Sequence, residues 1–114
     1  MNYTVEQLKA ILTEAHIQAY KAADAHEKEY YPDNGWGACG FAWVNIWGIK
    51  GNTKLGRAMK AAGIEKDYTG AYSIWNPSKY PTQNVSTLEA GAVAAAKVFK
   101  RYGFEKAYAG SRLD

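Results

Sequence analysis

The sequence has little of several features on which particular protein classes depend. It contains one cysteine in 114 residues, so no intramolecular disulfide can hold the fold together. Its longest apolar run, from Gly40 to Trp47, includes Asn45 and is much shorter than the roughly 20 residues that span a bilayer. The first residues show no signal-peptide pattern of basic and then apolar side chains. We therefore expect a cytoplasmic protein that makes no contact with a membrane.

Histidine and linker-like segments are also scarce. The only two histidines, His16 and His26, fall on one predicted helix. A separation of ten residues places them about 15 Å apart along its axis, too far to share an ion. No cofactor and no metal site are predicted. Because no repeat or proline- and glycine-rich linker divides the chain, we expect one domain over residues 1–114.

Net charge is small, at +3, but it is unevenly distributed. Residues 1–36 carry three basic and six acidic side chains, whereas residues 37–114 carry eleven basic and five acidic side chains. An anionic partner should therefore prefer the later part of the chain.

What the sequence has in excess is tryptophan and tyrosine. Aromatic residues make up 14% of the chain, with four Trp and nine Tyr against three Phe. Trp and Tyr combine an apolar ring with a polar atom, so they are used in binding sites as well as in cores.

Periodicity and capping residues predict three helices. Thr4 and Gln7 form a capping box before the first, and Ser86 and Glu89 form another before the third. Thr53 is predicted to cap the second. The predicted ranges are 4–29, 53–62 and 86–103.

Three strands are predicted, over residues 38–47, 68–75 and 106–113. The first has apolar side chains on both faces, which is typical of a central strand covered by helices on each side. Trp43 and Trp47 would then belong to the core. The order α-β-α-β-α-β favours an α/β domain with right-handed crossovers and a partly parallel, three-stranded central sheet. An α+β arrangement with an antiparallel pair is the alternative.

The segment between the first strand and the second helix is the main candidate site. A strand, a glycine loop and a helix N-terminus can bind phosphate or carboxylate through free backbone N–H groups. The residues do not follow the spacing of a Walker A loop, because Thr53 stands where a glycine should precede the lysine. The candidate ligand-binding residues here are Lys50, Gly51, Asn52, Thr53, Lys54 and Arg57.

Aromatic and polar residues near the predicted strand ends complete this site. Trp36, Trp75 and Tyr80 are predicted to stack on the ligand. Asn76 would supply hydrogen bonds, and Arg112 would meet a phosphate group. We predict that these residues and the basic loop bind one small anionic ligand.

Two other segments match motifs of known function. Residues 35–40 match the expression G-x-G-x-x-G, but a strand follows them where a helix is required, so the match is coincidental. The segment around Cys39 resembles the nucleophile segment of small papain-like peptidoglycan hydrolases. That resemblance implies a cysteine at the start of a helix and a histidine base downstream of it. Both histidines here lie upstream, so we expect a small buried thiol in a strand.

Three short segments resemble small proteins encoded in tailed-bacteriophage genomes. They are Cys39–Val44, Ile74–Pro77 and Ser111–Asp114. The resemblance spans about residues 35–114 and implies an accessory protein that acts inside an infected bacterium. It brings no activity, cofactor or catalytic residue.

The leading hypothesis is non-enzymatic binding of a small anionic molecule, namely a nucleotide or a nucleotide-derived signal. In a phage protein, such binding could serve to counter a host defence. The first alternative is binding of single-stranded nucleic acid, with aromatic side chains stacked on bases. The second is a cysteine-dependent hydrolase that uses Cys39. The third is a surface of exposed aromatic side chains that binds a partner protein or, in a homo-oligomer, a second copy of the chain, which the sequence does not distinguish from a ligand-stacking surface.

Overall fold

Three helices and four strands build the fold, and the computed structural model describes every residue from 1 to 114. In chain order they are α1 (Val5–Tyr30), β1 (Gly40–Ile46), α2 (Lys54–Ala61), β2 (Glu65–Lys66), β3 (Tyr72–Trp75), α3 (Val85–Arg101) and β4 (Ala107–Leu113). The strands form one antiparallel sheet in the order β2-β3-β1-β4. The fold is therefore α+β, the arrangement that was the alternative prediction.

Two of the three predicted helix starts are confirmed in detail. The backbone N–H of Gln7 donates to the Thr4 hydroxyl (3.1 Å), and the Thr4 N–H donates to the Gln7 side chain (2.8 Å). The Gly56 N–H donates to the Thr53 hydroxyl at the start of α2 (3.0 Å). After α2, Gly63 adopts a φ of +92°, the left-handed conformation that commonly ends a helix.

The predicted capping box of α3 is wrong. The N-cap is Asn84, two residues before the predicted Ser86, and its side chain does not bond the helix. The Asn84 side chain instead binds the Gly37 N–H and the Glu27 carboxylate, at 2.7 and 2.6 Å. Ser86 consequently lies inside α3, where its hydroxyl is 3.2 Å from that of Tyr31. The Ser86–Glu89 pattern does not form a capping box because Asn84 starts the helix, where its side chain links α3 to α1 and to the α1–β1 loop.

The predicted partly parallel, three-stranded sheet is also wrong. A helix between two strands predicts that both strands run in the same direction, and this holds for β1 and β2 and for β3 and β4. However, β3 lies between β1 and β2, and β1 lies between β3 and β4. Each pair is thus a split β-α-β unit, and all neighbouring strands are antiparallel. The second predicted strand corresponds to β3, which is antiparallel to β1, because the sequence pattern did not show the short strand β2 that precedes it.

The second predicted strand is shorter than expected, because residues 67–70 form a turn. The Asp67 carboxylate accepts hydrogen bonds from the backbone N–H groups of Thr69 (2.8 Å) and Ala71 (3.3 Å). Gly70 allows the turn through a φ of +93°. This turn joins the two-residue strand β2 to β3, and β2 was too short to be predicted.

One face of the sheet is covered by helices. Ala42, Val44 and Ile46 of β1 point into the core and are almost fully buried. The alanine-rich side of α3 packs on this inner face, and α1 packs along α3. The approach of the two helices is close, since a Cβ at Gly91 would lie 3.1 Å from the Ala19 carbonyl oxygen.

The opposite face of β1 is not covered by a helix, which overturns the prediction of a strand enclosed on both sides. Phe41 and Trp43 are half-buried there, and Trp47 just beyond the strand is 39% exposed. Neither tryptophan is therefore a fully buried core residue. None of the three helices has the length and apolar character that crossing a membrane requires.

Candidate functional site

The predicted ligand-binding residues line four separate cavities. Lys50, Thr53 and Lys54 line the first, Gly51 and Arg57 the second, Trp36 and Tyr80 the third, and Trp75 and Arg112 the fourth. Asn52 lies in the exposed loop before α2, and Asn76 lies in the turn after β3. The structure thus brings together the lysines around α2, and it brings Trp75 together with Arg112. It does not assemble these two groups into one site.

The loop before α2 has the predicted order of strand, loop and helix, but its polar groups are partly occupied. The Thr53 hydroxyl donates to the Lys50 carbonyl oxygen (2.6 Å) and accepts from the Gly56 N–H. Arg57 donates to the Asn52 carbonyl oxygen (2.8 Å), which turns its guanidinium back over the loop. An anion here would meet the exposed side chains of Lys50 and Lys54 more readily than the Gly56 N–H.

Tyr80 makes contacts that hold the structure together. Its hydroxyl donates to the Asp24 carboxylate (2.8 Å), and its ring lies beside that of Tyr20, with centroids 5.1 Å apart. The hydrogen bond to Asp24 raises the pKa of Tyr80 to about 12. Tyr80 therefore fixes the loop after β3 to α1. Trp36, which lines the same cavity, is 87% exposed.

Asn76 also has a local role. It adopts a φ of +44°, its backbone N–H donates to the Ala42 carbonyl oxygen (2.9 Å), and its side chain accepts from Ser78 (3.4 Å). These features turn the chain away from the end of β3.

The uncovered face of the sheet carries the densest group of aromatic side chains. We call Phe41, Trp43, Trp75, Tyr108 and Arg112 the aromatic face. In the strand register, Trp43 of β1 lies between Trp75 of β3 and Gly110 of β4, and Phe41 lies opposite Arg112. Side chains of opposed residues point to the same side of an antiparallel sheet, so the register alone places these groups together.

The rings of the aromatic face pack on one another. The indoles of Trp43 and Trp75 are parallel to within 1°, with centroids 5.7 Å apart, and the rings of Phe41 and Trp75 are 5.5 Å apart. Gly110 provides the space for the Trp43 indole, because a Cβ at Gly110 would lie 2.5 Å from its nitrogen. Trp75 remains 55% exposed, so its ring is available to a ligand.

Two cations lie over rings on the β4 side. The Arg112 guanidinium is 5.3 Å from the centroid of Phe41, and the Lys100 ammonium is 4.8 Å from the centroid of Tyr108. These distances are those of cation–π contacts. Both basic side chains are exposed, so they place positive charge beside the rings.

The β2–β3 turn forms one wall of a cavity on this face. The cavity measures about 330 Å³ and is lined by Trp43, Asn45, Asp67, Tyr68, Thr69, Ser73, Trp75 and Arg112. Tyr68 is fully exposed at the tip of the turn. The Thr69 hydroxyl and the turn N–H groups lower the pKa of Asp67 by donating hydrogen bonds to its carboxylate. In the floor, the Asn45 side-chain oxygen is buried without a hydrogen-bond partner.

Cys39 is not hydrogen-bonded to either histidine. Cys39 lies just before β1, in an isolated bridge with Asn84, and its sulfur is 3.7 Å from the Gln83 side-chain oxygen. Both histidines have other Nδ1 partners: His16 contacts the Pro77 carbonyl oxygen (2.6 Å), and His26 contacts the Thr87 hydroxyl (3.0 Å). No group of three His, Cys, Asp or Glu side chains could hold a metal ion.

Sequence reasoning missed Phe41, Trp43 and Tyr108 as surface residues, although it included Trp75 and Arg112. The available signal was the size difference between the two faces of β1, where aromatic side chains alternate with Ala42, Val44 and Ile46. Comparisons with protein-family models, curated proteins and solved structures give no match. The aromatic face is therefore interpreted from its geometry.

Proposed function

We propose that the protein binds single-stranded nucleic acid on the aromatic face. Bases would stack on Trp75 and on the rings beside it, and Arg112 would contact the phosphate backbone. The observation that carries this proposal is the contact between Trp43 and Trp75, two parallel indoles on a sheet face that no helix covers.

Stacking is the interaction that this surface can provide. A base stacked on an aromatic side chain contributes about 1–3 kcal/mol, and every base has a planar face to offer. Trp75 presents more than half of its surface, and Tyr68 is exposed on the turn beside it. The surface therefore suits several consecutive bases and does not require one particular sequence.

The shape of the surface favours a polymer over a single nucleotide. A site for a small molecule usually buries about 70–90% of its ligand. The aromatic face is instead one side of a sheet, bordered on one flank by the β2–β3 turn. A single-stranded nucleic acid can bind there because the stacking energies of successive bases add up, although each one is small.

Charge favours the β4 side for the phosphate backbone. Arg112 and Lys100 lie over rings on this side, whereas Glu65 and Asp67 lie at the β2 side. The phosphates should therefore follow β4, with the bases directed toward β1 and β3. Binding through few phosphates should weaken moderately as salt rises from about 50 to 200 mM.

The test is the fluorescence anisotropy of labelled oligothymidylate and oligouridylate titrated with the protein at low salt. The variant Trp75→Ala should weaken binding roughly 5- to 150-fold, the equivalent of one stacked base. Trp36→Ala is the matched control, since it removes an even more exposed tryptophan from a different cavity. Absence of binding by the unaltered protein, or equal losses in the two variants, would contradict the proposal.

The small-anion hypothesis remains the second candidate, because Lys50, Lys54 and Lys106 line one cavity of about 530 Å³ beside α2. A nucleotide panel measured by calorimetry separates it from the first. Binding of mononucleotides that is lost in Lys54→Gln but kept in Trp75→Ala would favour this cavity. A role inside an infected bacterium stays a prediction for either candidate.

A further inference from the structure

One edge of the sheet is a long strand without the usual protection against pairing. The strand order places β4 at one edge and β2 at the other; β4 has seven residues and β2 has two. Edge strands are commonly protected by proline, by several charges or by a bulge. β4 contains no proline and one charged residue, Arg112, and its register with β1 is continuous from Ala107 to Leu113.

The hydrogen-bond pattern shows which residues of β4 face outward. The Trp47 N–H donates to Lys106 and the Asp114 N–H donates to Cys39, so even-numbered residues of this segment are in the hydrogen-bonded pairs with β1. In an antiparallel ladder the alternate residues direct their N–H and C=O groups to the opposite side. Ala109 and Ser111 therefore present these groups at the open edge.

We infer that β4 pairs with β4 of a second copy of this chain, antiparallel and about a two-fold axis at Gly110. This register places Ala109 opposite the partner's Ser111, so that outward-facing residues meet and can exchange hydrogen bonds. It also places Tyr108 opposite the partner's Arg112 on the same face of the sheet. The strand is thus complementary to itself, as a two-fold interface requires.

Neighbouring registers that also match outward residues are less favourable. An axis at Ala109 would oppose Arg112 to the partner's Lys106, and like charges directly opposite each other destabilise a sheet. An axis at Ser111 would shorten the ladder, because Tyr108 would then meet the partner's Asp114 at the end of the chain. The register at Gly110 alone pairs Ala109 and Ser111, the two outward-facing residues, with each other across the interface and adds an aromatic–cation pair on each side of the axis.

The consequence is a single continuous sheet from two copies. With the axis perpendicular to the sheet, the two aromatic faces lie on the same side and adjoin along β4. The helices of both copies lie on the other side. This arrangement removes the long open edge of each copy, and it does not depend on which ligand the aromatic face binds.

The test is the molecular mass in solution, measured by sedimentation velocity from micromolar to millimolar protein without nucleic acid. The unaltered chain should pass from monomer to dimer. Ala109→Pro removes an outward N–H and should remain monomeric, whereas Ala109→Ser keeps the N–H and should dimerise. Circular dichroism of Ala109→Pro checks that it folds, since the N–H that it loses does not bond β1.

A second pair of variants tests the register. Tyr108→Arg places like charges opposite each other and should weaken the dimer; combining it with Arg112→Tyr restores an aromatic–cation pair and should restore association. A chain that is monomeric at all concentrations overturns the inference and leaves the edge to a strand of another protein. A dimer that Ala109→Pro does not weaken, or a double variant as weak as Tyr108→Arg, overturns it as well.

Discussion

The two faces of the sheet are built from the same strands but in different ways. On the inner face, Ala42, Val44 and Ile46 are small or branched and are covered by α3. On the outer face, Phe41 and Trp43 are large, and they pack against neighbouring rings and a guanidinium instead of a helix. Both faces are apolar in the sequence, yet only one is buried in the core. Apolar alternation thus does not by itself show that a helix covers a strand.

The difference between the faces follows from what each can pack against. The alanines of α3 leave little space between helix and sheet, and the β1 side chains that pack beneath it are small or branched. Indole rings would hold a helix farther away, but they can pack on each other and stay partly exposed. We therefore expect the inner face to determine stability and the outer face to determine binding.

The largest expected effect is the loss of an inner-face side chain. Ile46→Ala removes a side chain that is 1% exposed, and it should lower the free energy of unfolding by about 2–5 kcal/mol through the cavity it leaves. Trp75→Ala on the outer face should cost less, although it removes more atoms, because its ring is 55% exposed. Urea denaturation of both variants measures the comparison. A cost for Trp75→Ala equal to that of Ile46→Ala would show that the outer face also contributes a core.

Much of the fold could be predicted because its signals are local. The Thr4 and Gln7 capping box, the Thr53 cap and the stop at Gly63 are each formed within a few residues, and each is present. The range of β4 was also predicted to within one residue. Local hydrogen bonding and periodicity were enough for these elements.

The errors concern contacts between distant segments. Ser86 was predicted as a cap because nothing local shows that Asn84 binds Glu27, 57 residues away. The predicted site residues lie in separate cavities for a related reason: the sequence does not show which strands are neighbours. Tyr80 and Trp36 are near loops in the sequence, as Trp75 is, but only the register of β1 with β3 and β4 places Trp75 beside Trp43 and Arg112.

An intermediate effect on the free energy of unfolding is expected at Gly110, the glycine over which the Trp43 indole lies. Gly110→Ala introduces a methyl group that would lie 2.5 Å from the Trp43 indole, so the ring must move. We expect a cost of about 1–3 kcal/mol in unfolding free energy, together with a shift in tryptophan fluorescence. Ser111→Ala, at the next position, is the control and should leave the fluorescence unchanged. An unshifted spectrum in Gly110→Ala would mean that Trp43 does not lie over this glycine.

The smallest expected effect is on the pH dependence of stability, and it arises from Asp67 in the β2–β3 turn beside the outer face. Hydrogen bonds from Thr69 and the turn N–H groups hold the pKa of Asp67 below its ordinary value of 3.8. A carboxyl group with a lowered pKa in the folded state stabilises the fold fully above that ordinary value, and this contribution is lost as the pH falls through the folded-state pKa. Asp67→Asn should therefore lower the denaturation midpoint at neutral pH and have less effect below pH 3.8.

The matched control for the turn is Asp24→Asn on α1. The pKa of Asp24 is also lowered, by hydrogen bonds from Lys28 and Tyr80, but this group is remote in sequence from β2 and β3. Both variants should reduce the acid dependence of the midpoint, whereas Asp67→Asn alone should speed amide hydrogen exchange at Ala71, whose N–H contacts the Asp67 carboxylate. Equal exchange rates at Ala71 in the two variants would show that the Asp67 carboxylate does not stabilise the turn. The wall beside Trp75 would then depend on Gly70 and the β2–β3 pairing instead.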